Sequence, residues 1–384
     1  MNILPHPSIT VGAGSIGGLA KVLSNLAVRR LLVVTDRGII MAGIYEKVKT
    51  IIETTGTEIL LVSDVQPDPS LNLVQKIAGV ARAAGADAVL GLGGGSSIDS
   101  AKVAAALCTN PGQINDYIGT DLLEKPSLPI IAVPTTAGTG SEVTHIAILS
   151  DEEEEVKKGL VSVRIMPAFA FLDPELTVGL PPLITASTGM DALCHAVEAY
   201  TSVHAGEYSD ALALRAMELL SRNIETAFND GSDLRARENM LTGSLFAGMA
   251  FANAGVTAVH AFAYPLGGMF HVPHGLANSL MLPTVLKFNT RGSEERFIRI
   301  GKAIAPVPAG GRGCEPDAET AVKRVEELSR NLKLPRNLAA AGIPREAIGT
   351  MAKAVVQITR LLSNNPRQIG LDDAVAIYTE AFDR

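Results

Sequence analysis

Three of the chain's seven histidines, His260, His271 and His274, fall within fifteen residues among small and apolar neighbours, in the stretch GVTAVHAFAYPLGGMFHVPHGLAN from Gly255 to Asn278. A helical run through His260 that breaks at Gly267-Gly268 and returns through His271 and His274 would aim two imidazoles at one point. Upstream, TGMDALCHAVE (188–198) sets Asp191 and His195 four positions apart, on one face of a helix. One carboxylate with three imidazoles is a ligand type for Fe(II) or Zn(II), whereas Mg and Ca take shells of oxygen. Each residue alone also has a plainer use: a satisfied core histidine, or a surface Asp/His pair. Glu198, three after His195 on the same face, is either a ligand or the group that orients an imidazole. His271 is placed to shuttle protons, to line a pocket, or simply to hold structure. Cys194 adjoins His195 but points about 100° away along the helix, so it reads as core filler.

These side chains need a scaffold, and the chain supplies two kinds. From residue 7 to about 180, short β-rich runs such as RLLVVT (30–35) and AVLGL (88–92) alternate with amphipathic segments, including 16–26, 44–54, 70–84 and 100–107. That alternation predicts a parallel sheet covered by helices, the architecture that binds nucleotides at strand C-termini. After Pro167, Pro174 and Pro181-Pro182 the strand patterns cease. Helical periodicity then occupies 183–202, 208–228, 234–254, 256–269, 275–289, 293–304, 316–331, 345–361 and 371–382, with a loop over 305–315. The expectation is an α/β domain over 1–180 and an all-α domain over 181–384, the metal ligands facing a cleft toward the sheet. A chain of 384 residues exceeds what one core usually serves.

Two glycine clusters compete for a cofactor diphosphate. Gly12-Ala-Gly14-Ser-Ile-Gly17 fits G-x-G-x-x-G and is followed about twenty residues later by an acid, Asp36. Gly91-Leu-Gly93-Gly94-Gly95-Ser96-Ser97-Ile-Asp99 also follows a strand and precedes a helix; its three glycines allow close backbone approach to an anion. Under either choice Asp36 can accept from an adenosine ribose and would repel a 2′-phosphate, so it predicts NAD over NADP; capping the next helix is its plainer role. A run of hydroxyls and glycines, PTTAGTGSE (134–142), follows a third strand. Asp151 to Glu155 reads as the solvated tip of a hairpin.

Composition limits the partners. A net charge of -7 with no clustered basic surface argues against nucleic acid. Three scattered cysteines, Cys108, Cys194 and Cys314, suit free thiols in a reducing compartment. No segment reaches about eighteen uninterrupted apolar residues, and the N-terminus lacks a basic region followed by an apolar one, so a soluble cytoplasmic protein with no membrane contact is expected.

The stretch AVHAFAYPLGGMFHVPHG, taken with DPELTVGLPPLITASTGMDALCHAVEAYTS (173–202), resembles the two signatures of the iron-containing (group III) alcohol dehydrogenase family, and the resemblance spans essentially the whole chain. It implies the dehydroquinate synthase-like fold of that family, and Asp191, His195, His260 and His274 as metal ligands. It selects the second glycine cluster, Gly93, Gly94, Gly95, Ser96, Ser97 and Asp99, as the pyrophosphate loop. It marks Thr135, Thr136 and Thr139 as cofactor contacts, and Lys157 as a ribose contact with Lys158 an alternative register. NAD and Fe2+ are the implied cofactors, with Zn2+ possible, and a homodimer or larger assembly is implied. Four protein ligands exceed the three of most catalytic zinc sites, which leans toward iron. Many members carry a second histidine four residues after the one matching His260; here that position is Tyr264, a candidate proton donor to substrate alongside His271. The implied reaction is hydride transfer between a small alcohol or diol and its aldehyde or ketone. The rival from another class is a metal-dependent lyase resembling dehydroquinate synthase that uses NAD transiently, but its acidic and lysine-rich motifs are not found.

Overall fold

An unbroken run of branched apolar residues makes a stable strand only where both faces are covered, and Leu31 to Val34 are wholly buried. The structure, a computed structural model, describes residues 3–154, 156–291, 293–305 and 317–384; Glu155, Cys314 and all of the expected 305–315 loop beyond Ala305 lie outside the described residues. The chain forms two compact units, Leu4–Leu180 and Pro181–Arg384.

The first unit carries strands β1 (Ser8–Val11), β2 (Arg30–Val34), β3 (Glu58–Val62), β4 (Ala88–Gly93), β5 (Gly119–Thr120), β6 (Ile130–Pro134), β7 (Ile146–Asp151), β8 (Val156–Val161) and β9 (Phe169–Leu172). Six of them form one parallel sheet in the order β1-β9-β6-β4-β2-β3. Its helices are α1 (Leu19–Asn25), α2 (Arg37–Met41), α3 (Ile44–Glu53), α4 (Leu71–Ala84) and α5 (Gly95–Thr109). Side chains of a strand alternate between faces. Leu32, Val34 and Val89 accordingly pack with Val74, Ile77, Ala104 and Ala105 of α4 and α5, while Leu31, Val33, Leu90 and Leu92 pack with Leu19, Leu23, Val48 and Ile52 of α1 and α3. Each such side chain contributes about 1.5–3 kcal/mol of burial. Ser70 caps α4 by accepting from the Leu73 N–H at 3.3 Å.

Three features differ from expectation. The helix expected over 100–107 begins five residues earlier, at Gly95, so Ser96, Ser97 and Asp99 stand in its first turns. The strand β9 lies inside the sheet between β1 and β6, where proline punctuation suggested only an exit from the domain. A second sheet, β5-β8-β7, is built around the β7–β8 hairpin; Glu152 to Glu154 form its exposed turn, while Asp151, expected in the solvated tip, is the buried last residue of β7.

The second unit holds α6 (Pro182–Thr201), α7 (Glu207–Asn229), α8 (Leu234–Ala254), α9 (Ala258–Phe270), α10 (His274–Asn289), α11 (Glu294–Ile304), α12 (Thr320–Asn331), α13 (Ile348–Val355), α14 (Thr359–Leu362) and α15 (Leu371–Asp383), with no strand among the described residues. The helix expected over 345–361 is interrupted between α13 and α14, where Ile358 takes ψ 56 among β-branched neighbours. The break expected at Gly267-Gly268 falls instead at His271: α9 runs through both glycines and ends when His271 adopts φ 56, its N–H donating to Gly267 O at 3.1 Å. Histidine is among the few non-glycine types that tolerate that conformation. Cys108 and Cys194 are free thiols. Among the described residues no single helix is long and apolar enough to cross a membrane.

Candidate metal centre and cofactor loops

Helices α6, α9 and α10 bring the sequence-predicted ligands together. Asp191 and His195 project from α6, one turn apart, and are 2% and 5% exposed; His260, in the first turn of α9, is 4% exposed. One ligand atom from each of these three lies within 4.8 Å of the others. The Nε2 atoms of His260 and His195 are 3.0 Å apart, and His260 Nε2 is 3.8 Å from Asp191 Oδ1. His274, the first residue of α10, joins through its Nε2, also 3.8 Å from Asp191 Oδ1; its ring centroid is 5.3 Å from that of His260. The next residue explains how α10 comes so close. A Cβ at Gly275 would stand 2.5 Å from Ser187 O, so only glycine lets the helix start rest on the backbone of α6.

Burial drives the chemistry of the cluster. It pushes the His195 imidazole down to about 4, despite the opposing pull of Asp191, so this ring is neutral and stacks on Phe251 with centroids 4.4 Å apart. Burial alone would raise the Asp191 carboxyl, but the three imidazoles and the Asn278 amide outweigh it and hold it below its ordinary range.

Glu198, seven residues after Asp191, does not face the ligand atoms but supports His260 from behind. Its Oε1 accepts from the N–H groups of Thr257 (3.0 Å) and Val259 (2.7 Å), more weakly from that of His260 (3.3 Å), and from Thr257 Oγ1 (2.8 Å). These are orphan donors at the start of α9, which a carboxylate satisfies best. Its Oε2 takes a short hydrogen bond from His260 Nδ1. The ring proton therefore sits on Nδ1, and the Nε2 lone pair is aimed at Asp191 and His195. Cys194 Sγ is 3.6 Å from the same Oε2, and burial pushes this thiol well above its usual range, so Cys194, Glu198 and His260 form a support rather than a second ion site.

Asn278 was not among the residues expected at the site. It is fully buried on α10, four residues after His274, and its Nδ2 lies 2.6 Å from Asp191 Oδ1. The spacing from His274 was the available signal, since i and i+4 share a face. Tyr264 follows His260 by one turn on α9; burial raises its hydroxyl, opposed by the positive charge of Arg360. His271 is exposed, serves as the C-cap of α9, and has no hydrogen bond from its ring to the cluster among the described residues.

In the first unit, the ends of the adjacent strands β2, β4 and β6 gather the predicted cofactor residues. Asp36 caps α2, accepting from Ile39 N at 3.1 Å, and its other oxygen reaches over Gly93: a Cβ there would meet Asp36 Oδ2 at 3.2 Å and Ser97 Oγ at 2.8 Å. Gly93 also has φ +144, which side chains resist. The second loop leans on the first. Thr135 N donates to Gly93 O at 3.0 Å, and Cβ atoms at Gly94 and Gly95 would touch Thr136 Oγ1 at 3.5 Å and Thr139 Cγ2 at 2.7 Å. With Gly94 as N-cap, α5 presents its first N–H groups inside this cradle.

Asp99 spends both oxygens on protein donors, a short bond from Ser141 Oγ and the Ile148 N–H at 2.9 Å. Beside it the wholly buried Lys102 donates to Thr144 Oγ1 (3.1 Å) and Ile146 O (2.9 Å). Lys157 is bound to Asp68 Oδ1 (2.5 Å) and Ser150 Oγ (3.0 Å) rather than to either loop, and Lys158 to Asp151 and Glu154. The first glycine cluster lies elsewhere: Gly12 and Gly14 turn the edge strand β1 into a short 3-10 helix.

Comparison with known proteins places the chain in a family. Residues 6–174 match the family model for iron-containing alcohol dehydrogenase, and residues 185–382 match that for the C-terminal part of the Fe-containing alcohol dehydrogenase family. A long-chain-alcohol dehydrogenase of Geobacillus thermodenitrificans is 41% identical over 98% of this chain and 95% of its own length. A crystal structure of 1,3-propanediol oxidoreductase superposes with a TM-score of 0.93 at 35% identity, covering 99% of this chain and 100% of that one. An alcohol dehydrogenase from Oenococcus oeni gives 0.94 at 31% identity, with both chains fully covered. The lyase alternative is not favoured, and the chain belongs to the iron-containing alcohol dehydrogenase family as an oxidoreductase that interconverts alcohols and aldehydes.

Proposed function

We propose that this dehydrogenase uses NAD and a divalent metal, Fe(II) first and Zn(II) second, held by Asp191, His195, His260 and His274. The observation that carries the reading is the convergence on one point of groups that can donate lone pairs to a cation: a carboxylate oxygen of Asp191, the neutral ring of His195, and His260 Nε2, turned inward because Glu198 holds Nδ1. One buried carboxylate and two buried imidazoles, with the more exposed His274 beside them, offer nitrogen and oxygen atoms 3.0–3.8 Å apart, a donor set that fits a transition metal. When bound, such a metal polarises the substrate oxygen as a Lewis acid, and the nicotinamide takes or gives the hydride. The residues prepare the site. Glu198 fixes ring orientation and tautomer, Asp191 supplies the balancing negative charge, and Phe251 covers His195 from water. In the other unit, the α5 N-terminus and Thr135, Thr136 and Thr139 receive the diphosphate and nicotinamide side of NAD, while Asp36 accepts from its ribose.

The substrate is a small primary or secondary alcohol or diol. Among the relatives, the name for 1,3-propanediol falls inside this class, while that for long-chain alcohols reaches beyond it. Lys157 contacts cofactor ribose only if it leaves Asp68, and Tyr264 and His271 remain candidates for proton transfer. The protein is proposed to act in the cytoplasm as a homodimer or larger homo-oligomer, with no nucleic acid or membrane partner. The test is NADH formation from a panel of small alcohols and diols by the Fe(II)-loaded protein, beside metal content and activity of His260→Ala. Metal and activity should disappear together. A His260→Ala protein keeping both, or a loaded wild type forming no NADH with any alcohol, would overturn the assignment.

A further inference from the structure

Asn278 contacts three of the four proposed ligands at once. Its Nδ2 is 2.6 Å from Asp191 Oδ1, 3.1 Å from His260 Nε2 and 3.2 Å from His274 Nε2. Because Asp191 Oδ1 can only accept, the network assigns the NH2 end inward. The other end, Oδ1, is buried with no hydrogen-bond partner. An amide has two hydrogens for these three acceptors, and a lone pair engaged by N–H is closed to a cation. A metal drawing on the same atoms must therefore displace the NH2 group.

We propose that Asn278 is a fifth protein group of the metal centre, exchanging an N–H held on Asp191 for an amide oxygen turned to the ion. Rotation about the last side-chain bond swaps the two ends at constant volume, which a residue with 0% exposure can accommodate. It gives the orphaned Oδ1 a positive partner, at the cost of the contacts of the NH2 group with Asp191, His260 and His274, as that group turns to where Oδ1 stood. The placement of His274 and Asn278 one turn apart lets α10 deliver both groups to one point. An oxygen from Asn278 adds to a set of one carboxylate and three imidazoles, as suits an ion of coordination higher than four.

This inference rests on the metal-dependent reading above, and its test separates the two. Full-length wild type, Asn278→Leu and Asn278→Asp are titrated with Co2+ in competition with a chromophoric chelator, and the visible ligand-field bands of each complex are recorded. Asn278→Leu, close in size but unable to ligate, should bind Co2+ about 10- to 100-fold more weakly with altered bands. Asn278→Asp should bind at least as tightly as wild type with shifted bands, since a carboxylate oxygen replaces the amide oxygen. Binding by Asn278→Leu within about twofold of wild type, with superimposable bands, would overturn the proposal. Should that variant not fold, unshifted bands in Asn278→Asp would do the same. Failure of the wild type to bind Co2+ would instead sink the metal reading itself.

Discussion

Changing Glu198 to glutamine removes one negative charge and turns one terminal oxygen into a donor, in a place where every polar neighbour also donates. If the glutamine oxygen stays on the N–H groups of Thr257 and Val259, its NH2 faces His260 Nδ1. The ring proton must then move to Nε2, where it points at Asp191 and His195. If the amide turns round, its NH2 confronts the N–H groups that begin α9, and each orphaned donor costs about 1–3 kcal/mol. The first arrangement is the cheaper, and it spoils the ligand. The four charge-assisted bonds to Oε1 become neutral ones, the three shorter of them losing roughly 1 kcal/mol each, so stability should fall by about 2–3 kcal/mol. Metal affinity should fall about 10- to 100-fold, or roughly 1.4–2.7 kcal/mol. Chelator competition reads the affinity and urea unfolding the stability. Glu198→Asp keeps the charge but is one methylene shorter, so its affinity should lie between the two. A folded Glu198→Gln protein that binds metal within about twofold of wild type would refute the claim that this carboxylate sets the tautomer of His260.

Other perturbations bear on the first unit. Asp36→Gly removes the carboxylate while giving up only a few tenths of a kcal/mol of helix capping, and should raise NADP use relative to NAD by about tenfold or more in kcat/KM; an unchanged ratio would contradict the role of Asp36. Gly93→Ala places a side chain at φ +144 against Ser97 and Asp36. It should cost about 1–3 kcal/mol in urea unfolding and raise the KM for NAD, and native values of both would count against the cradle. Burial, only partly offset by a backbone hydrogen bond and by Lys102, lifts the Glu142 carboxyl from 4.5 to about 7. Between those pH values the folded chain keeps a proton that the unfolded chain has released, so this residue's contribution declines as pH rises, by about 3 kcal/mol in all, and levels off above 7. Glu142→Gln should lack that decline when unfolding free energies at pH 5 and 7.5 are compared, and equal pH slopes in the two proteins would refute it.

Legibility in the sequence followed the range of the interactions. Strands β2 and β4 announced themselves because burial on both faces demands an unbroken apolar run, and α6 announced its proposed ligands because four residues make one turn. The start of α5 was obscured by Gly95, Ser96 and Ser97, weak helix formers whose place in the first turn is fixed by packing under Thr139. Gly267 and Gly268 suggested a break for the same reason, yet a glycine costs a helix only about 1 kcal/mol, and α9 continues to His271. The short strands β5 and β9 depend on partners far along the chain, so no local periodicity marked them. Asn278 and Lys102 were hidden differently: an amide and a lysine read as surface residues until the fold encloses them. Glu198 stood between two roles because spacing places it on the ligand face of α6, while only the start of α9 claims its oxygens.

The pairing of β1 with β9 joins Ser8 to Phe169 and Val11 to Leu172, the first and last strands of the sheet unit. A ribosome releases β1 long before its neighbour exists, and closing so long a loop is entropically slow. During synthesis the edge of β1 must therefore wait with its N–H and C=O groups unpaired, open to the wrong partner. The middle of the sheet can assemble first, and the unit seals only when Leu172 has emerged. Truncations short of that point should yield chains that aggregate rather than smaller folded sheets.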